Sequence, residues 1–237
     1  MNFTLPIKDS KQSIPACVLP ALEPARRHWD ATIQRVIDAQ RPPLASLGWR
    51  WSQAAWRLAL SQAVASASQS LFSVLQVGTA FRGYVSAAES LAQQLGQSPC
   101  VLALTAPAHG SFPLAMALVC DSFVEDEHFL WMLSGTPKSA LAPVFGKDQP
   151  GRVGVAMVWA LCRRALLGDR PRGLILHAAP EGGQALLDWY ARELSMTIIP
   201  DGVRVSALRV SDGRYLRLSS ADASALTIRL NREFGVP

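Results

Sequence analysis

Charge is scarce in this chain of 237 residues: Asp, Glu, Lys and Arg together make up 17% of it. Low charge beside 49% hydrophobic residues excludes an intrinsically disordered chain, which lacks the apolar surface to offset its ordering entropy. Cysteine is scarce too. Cys17, Cys100, Cys120 and Cys162 stand too far apart for a CxxC zinc or redox pair, and they read as buried thiols. The histidines at 28, 109, 128 and 177 share no HxH or HxxxH spacing, so no metal site is expected. Glycine and proline, 16 of each, follow no period, which excludes collagen-like and low-complexity chains. Long apolar runs are also missing. Residues 58–81 are uncharged but rich in Ser and Gln, and residues 97–120 are broken by Pro99, Pro107, Gly110 and Pro113. Neither gives the ~20 near-continuous apolar residues of a spanning helix. The first 12 residues hold Lys8, Asp9 and Lys11 with no apolar core behind them, so a secretory signal is not expected and a soluble, cytoplasmic protein is.

What is present is an ordinary globular composition, large enough to bury about 70–75% of its unfolded surface without a disulfide or metal. The net charge of +5 raises the question of nucleic acid, but the arginines are scattered, with doublets only at Arg26-Arg27 and Arg163-Arg164. A basic surface that aids solubility or attracts an anionic ligand is the simpler reading, and no nucleic-acid partner is favoured. The first twenty residues lack a clear period and read as an extended arm. Helical spacing of Trp29, Ile33, Val36 and Ile37 predicts a helix over 21–40, stopped by Arg41-Pro42-Pro43, and a second helix fits 51–67. Strands are expected at 71–77, 81–85, 101–104, 114–119 and 129–133, with an ambiguous, helix-leaning stretch at 85–95. Then follow a helix over 153–167, a strand over 173–177, a helix ending near 194, and a hairpin of 203–210 with 214–218 around Ser211-Asp212-Gly213. A last helix runs over 221–233, capped by Ser219 or Ser220. This alternation indicates a mixed α/β or α+β domain, divided into an N-terminal arm with helices over 1–67 and a core over 68–237, with no Gly/Ser linker to separate them.

Among chemistry-bearing motifs, neither a Walker A loop nor a GxGxxG fingerprint is present. Ser111 follows Gly110 without a GxSxG, so a serine hydrolase is not supported. The sequence Gln149-Pro150-Gly151-Arg152-Val153-Gly154-Val155-Ala156 opens a helix with glycines, a place where backbone N–H groups and the helix dipole converge and can receive a phosphate. His177 ends a strand where ligands often bind, and as a lone histidine it reads as structural.

This region resembles the GNAT superfamily of N-acetyltransferases, whose pyrophosphate loop reads Q/R-x-x-G-x-G/A. Gln149 and Gly154 match the first and last positions, and Arg152 stands where the pattern has its first glycine. Leu174-Ile175-Leu176-His177 looks like the family's fifth strand, and the helix through Trp189-Tyr190 to Leu194-Ser195-Met196 looks like the one that follows it. The likeness covers roughly residue 114 to the C-terminus. It implies an α+β fold: a twisted, mainly antiparallel mixed sheet flanked by helices, here with an N-terminal helical extension. It further implies acetyl-CoA as co-substrate, no metal, and transfer of an acetyl group to an amine of a small molecule or protein. Gln149, Gly151, Arg152, Val153, Gly154, Val155 and Ala156 would hold the pyrophosphate, and backbone groups around Leu133 and Ser134 would face the acetyl and pantetheine part. Tyr190 matches the tyrosine that often protonates the leaving thiolate. From the acidic cluster before strand 129–133, Glu127 is the nearest candidate base. The basic average charge disfavours a strongly cationic acceptor. Arg152 leaves one alternative open: a catalytically inactive GNAT-fold protein with a binding or regulatory role, joined to a second copy or a protein partner through its N-terminal helices.

Overall fold

The computed structural model of the chain describes residues 1–21, 28–29, 31–40, 97–122, 127–167, 169–178, 182–206 and 209–236. Phe3, Leu5 and Ile7 alternate with Thr4 and Pro6, and this period of two makes Asn2–Pro6 a strand, β1. It pairs antiparallel with β2 (Ser13–Pro20), Asn2 opposite Cys17 and Pro6 opposite Ser13. The expected arm is therefore a hairpin within the main sheet. Pro15 is tolerated in β2 because β2 gains its second neighbour, β3 (Gln97–Ala106), only from Cys17 onward. Helix α1 (Ile33–Gln40) is the C-terminal part of the first expected helix. The expectations for 51–67, 71–77, 81–85 and 85–95 lie outside the described residues.

After β3, Gly110 takes a positive φ of 65° and turns the chain into β4 (Phe112–Ser122), which pairs antiparallel with β5 (Glu127–Gly135). A crossover through α2 (Lys138–Phe145) and α3 (Val153–Leu166) then returns the chain to β6 (Gly173–His177), parallel to β5. Helix α2 lies in a stretch for which the sequence reading names no element, and it holds Pro143 in its interior. Leu141 and Phe145, one turn apart and both buried, hold it in place. The rest is α4 (Gly183–Leu194), β7 (Thr197–Ile198), β8 (Arg204–Ser206), β9 (Arg209–Val210), β10 (Tyr215–Leu218) and α5 (Ser220–Glu233), whose cap Ser219 accepts from the Asp222 N–H. The described strands form one eight-stranded sheet in the order β1-β2-β3-β4-β5-β6-β10-β7, with β8 and β9 apart as a small pair.

The hairpin expected around Asp212-Gly213 has different partners. β10 pairs with β6 and β7, not with residues 203–210. Burial explains the choice: Leu216 and Leu218 are wholly buried, whereas Val203 and Val210 are exposed, so only 215–218 carry enough apolar surface for an interior strand. Side chains of the sheet alternate between two cores. Leu102, Leu104, Leu174, Leu176, Leu216 and Leu218 pack with α3 and α5 on one face. Val101, Ala103, Phe129, Ile175 and Tyr215 pack with Trp29 and Ile33 on the other. Helix α3 is apolar all round from Val155 to Cys162 and sits at the centre of the first core. The hairpin β1–β2 is fastened to it by the rings of Phe3 and Trp159, 4.9 Å apart, and of Trp159 and Phe234, 5.0 Å apart. Trp159 also donates from Nε1 to Asn231 on α5 at 3.1 Å, so its own buried indole N–H is paired.

Candidate functional site

Strand β5 changes partners along its length. It stays paired with β4 from Phe129 opposite Cys120 to Gly135 opposite Ala115. With β6 it is paired only from Glu127 opposite Gly173 to Leu130 opposite Leu176. The register against β4 slips between Val119–Leu130 and Leu118–Met132, so Trp131 is an extra residue, a β-bulge. A bulge bends its strand and increases its twist. The ladder to β6 ends at the residue before this one, one residue short of the end of β6. From Trp131 to Gly135, β5 has no strand partner on its β6 side among the described residues, so a stretch of backbone N–H and C=O groups is open there.

The same end of the sheet receives the start of α3. In a parallel crossover the helix runs back against the strands, so α3 begins beside the carboxyl ends of β5 and β6, where α/β crossovers commonly bind ligands. Among the described residues, the N–H groups of Val153, Gly154 and Val155 meet no acceptor, whereas Ala156 N–H already donates to Arg152 O at 2.9 Å. These are the orphan donors of a helix start, lying at the positive end of its dipole. The preceding loop is braced by the β1–β2 turn: Gly151 N–H donates to Pro6 O at 2.8 Å and Lys8 N–H to Gln149 O at 3.0 Å. Gly151 therefore keeps its place through β1 and has its donor committed. Gln149 turns its side-chain amide to Gly146 O at 3.4 Å.

Arg152 has φ 53° and ψ 24°, the left-handed region that glycine enters without strain. This accounts for the glycine of the resembled pattern. The guanidinium does not reach toward the helix start. It pairs with Glu193 on α4 at 3.5 Å and with Glu233 on α5.

Helix α4 flanks the helix start from the other side. Trp189 Cη2 would lie 3.6 Å from a Cβ added at Gly154, so the indole covers that glycine at van der Waals contact. Tyr190 lies on the inward face of α4 with Leu187 and Leu194 and is 8% exposed. Burial pushes its phenol up to about 12, so it holds its proton throughout the neutral range. Leu133 and Ser134, both half-buried, stand on the open part of β5. Leu133 and Ser134 thus lie on the part of β5 beyond the ladder to β6, Val153, Gly154 and Val155 form the first turn of α3, and Val155 and Ala156 are buried in the core. Glu127 lies elsewhere, at the opposite end of β5. Four residues of strand, roughly 13 Å, separate it from the bulge, and its carboxylate pairs with Arg217 Nε at 3.1 Å.

Sequence reasoning missed two features. The bulge at Trp131 carries no sequence signal that we recognise. The other is the setting of His177, the last residue of β6 and the first beyond the ladder to β5. Its Nε2 lies 2.9 Å from Asp212 Oδ2, and its ring lies 4.6 Å from that of Tyr215. Among the described residues, no group of three or more His, Cys, Asp or Glu could hold a metal ion, and no helix is long and apolar enough to cross a membrane.

No family model matches the sequence, and no curated protein is significantly similar to it. Solved structures are similar. Apo FdhC, a nucleotide-linked sugar GNAT, superposes with a TM-score of 0.52 over 99% of this chain and 100% of its own, at 9% identity. A chimera of the spermidine N-acetyltransferase SpeG from Vibrio cholerae and hSSAT gives 0.48 over 88% of this chain and 98% of its own, at 7% identity. AtaTR bound with acetyl-CoA gives 0.38 over 60% and 83%, at 14% identity. The superposition on FdhC over nearly the whole of both chains, with a mixed, mainly antiparallel sheet flanked by helices, shows that this chain has the GNAT fold.

Proposed function

We propose that the protein is an acetyl-CoA-dependent N-acyltransferase that moves an acetyl group to an amine of a small molecule or protein. The observation that carries this reading is the end of the β5–β6 ladder at the Trp131 bulge, which leaves Trp131–Gly135 with no strand partner on that side among the described residues. The pantetheine arm of coenzyme A is extended and holds two amides. Laid along Trp131–Gly135, it would serve as a short additional strand, pairing with backbone groups that now lack a partner. Its pyrophosphate would then fall at Val153, Gly154 and Val155, whose N–H groups are unpaired among the described residues.

Acetyl transfer by this route needs placement more than covalent help. Fixing the thioester on a rigid strand edge removes much of the entropy of bringing donor and acceptor together. The amine attacks the thioester carbonyl, the C–S bond breaks, and the sulfur leaves as thiolate. Tyr190 is the proton donor in this reading. Its phenol is protonated at neutral pH, and its helix borders the same helix start. A second reading, the same fold without catalysis, draws on the committed Gly151 N–H and on the ion-paired Arg152, both of which remove donors from the loop. Thiol release from acetyl-CoA, followed with a disulfide reagent against a panel of primary amines, separates them. Amine-dependent release supports transfer, whereas tight coenzyme binding with no release for any amine supports the second reading.

A further inference from the structure

We infer that His177 is the general base of this acetyl transfer, and that Asp212 is the positioning residue that fixes its ring. The inference rests on the acyltransferase reading and adds the residue that reading lacks, since Glu127 lies at the far end of β5.

Helix α3 lies on the face of Leu174 and Leu176, so the phosphate end of the coenzyme approaches from there. An acyl group held at the end of the β5–β6 ladder meets its acceptor from the other face, that of Phe129 and Ile175. Alternation along β6 puts His177 on the Ile175 face, and its cross-strand partner on β10, Tyr215, belongs to the same core. His177 also follows Leu176, the last residue paired to β5, so it stands at the end of the ladder on the acceptor's side.

Its chemistry fits the place. Asp212 lies in the turn before β10. Burial raises its carboxyl, but the His177 hydrogen bond, the Arg214 N–H at 3.0 Å and the imidazole charge outweigh that and hold it below the usual carboxylate range. An ionised carboxylate only accepts hydrogen bonds, so the ring nitrogen facing it, His177 Nε2, is the donor between them and Nδ1 is the nitrogen left to take a proton from an acceptor. The other charged group near the pair, Arg214, sends its guanidinium away, donating to Ala178 O at 2.9 Å and Gly183 O at 3.2 Å. Among the described residues the ring lies against that of Tyr215 on β10, which in turn meets the ring of Phe129. In the step, the amine nitrogen forms its bond to the thioester carbon and its proton passes to Nδ1. The C–S bond breaks, Tyr190 protonates the sulfur, and solvent returns the imidazolium proton to the phenolate. Amine and thioester become amide and thiol.

The test uses the full chain with 15N-labelled histidine. Acetyl-CoA is expected to shift the His177 ring nitrogens, and adenosine 3′,5′-bisphosphate, which lacks the pantetheine arm, to leave them in place. Asp212→Asn is expected to change which nitrogen carries the proton. With 2-aminoethanol, 2-phenylethylamine and lysine methyl ester as acceptors, His177→Gln is expected to lower thiol release about 100-fold and leave the acetyl-CoA Kd within about twofold. Asp212→Asn is expected to fall between and to move the acid limb of the kcat/KM profile, which a packing role would not do. If acetyl-CoA binds and the His177 signals stay still, or if His177→Gln transfers at the full rate, the inference is overturned and the acyltransferase reading stands. If acetyl-CoA does not bind, or no amine promotes thiol release, both fall.

Discussion

Arg152 Nη1 lies 3.5 Å from Glu193 Oε2, so the cation at the start of α3 is spent on a carboxylate of α4 rather than offered to a ligand. Glu233 of α5 takes the same guanidinium from its other side. The arrangement ties three helix ends together, and it also neutralises two carboxylates beside the proposed phosphate site. Removing the cation by Arg152→Ala is expected to expose that negative charge and raise the acetyl-CoA Kd roughly 3- to 10-fold, most strongly at low salt. Glu233→Gln is expected to act in the opposite direction. Titrations at two ionic strengths check both signs.

Arg152→Gly is expected to leave stability nearly unchanged. Relief of a left-handed backbone at a non-glycine residue gives about 1–2 kcal/mol. Loss of two partly exposed ion pairs removes a similar amount. Urea unfolding of the variant is expected to fall within about 1 kcal/mol of the parent.

Gly154 is expected to tolerate a methyl group and nothing much larger. A Cβ there would meet only Trp189 Cη2, at 3.6 Å, and alanine is the better helix former by about 1 kcal/mol. Gly154→Ala is therefore expected to be neutral or stabilising. Gly154→Leu is expected to displace the indole and abolish coenzyme binding while the far-ultraviolet circular dichroism stays unchanged.

Glu127→Gln is expected to cost stability and leave chemistry untouched. The pair with Arg217 spans β5 and β10 and is partly exposed, so its loss is expected to lower unfolding free energy by up to about 1 kcal/mol. Thiol release is expected to stay within about twofold. A loss of about 100-fold would restore Glu127 as the base.

Tyr190→Phe keeps the ring in the core and removes the proton. Turnover is expected to fall at least about tenfold with an unchanged acetyl-CoA Kd, whereas equal loss of both would show a packing role. The buried phenol also bears on stability. The folded pKa of about 12 lies above the unfolded value near 10, so the unfolded chain loses this proton first. Its stabilisation is complete below about pH 10 and is lost as pH rises through about 12. Burial pushes the Cys162 thiol up to about 12 as well, with the same sign and a window opening about one unit lower. Denaturant midpoints are therefore expected to fall above about pH 9, and to fall less steeply in Tyr190→Phe.

Much of the C-terminal half was legible because local pattern and tertiary role agree there. Residues 173–177 are an apolar run between turns and form β6, and α3, α4 and α5 follow their expected spans within a residue or two. The hairpin β1–β2 was not legible because its prolines mask the alternation of Phe3, Leu5 and Ile7; only the long-range pairing of β2 with β3 reveals it. The partner of β10 was hidden for a similar reason. A turn at Asp212-Gly213 shows that the chain reverses, not which strand it reverses toward. For the site, the sequence marked the loop before α3 and the helix α4 as candidates. It gave no sign that Pro6 would occupy the Gly151 N–H, or that Asp212 would come from 35 residues away to meet His177. Those contacts depend on chain closure rather than on local spacing.

The central claim is that the end of β5 beyond its ladder to β6 binds an acyl-coenzyme A. Calorimetric titration of the full chain with acetyl-CoA, with ATP and desulfo-coenzyme A as controls, tests it most directly. Micromolar, one-to-one binding of acetyl-CoA is expected, retained by desulfo-coenzyme A, weak for ATP, and lost in Gly154→Leu. No heat of binding at millimolar acetyl-CoA, from a chain that unfolds cooperatively, would contradict it.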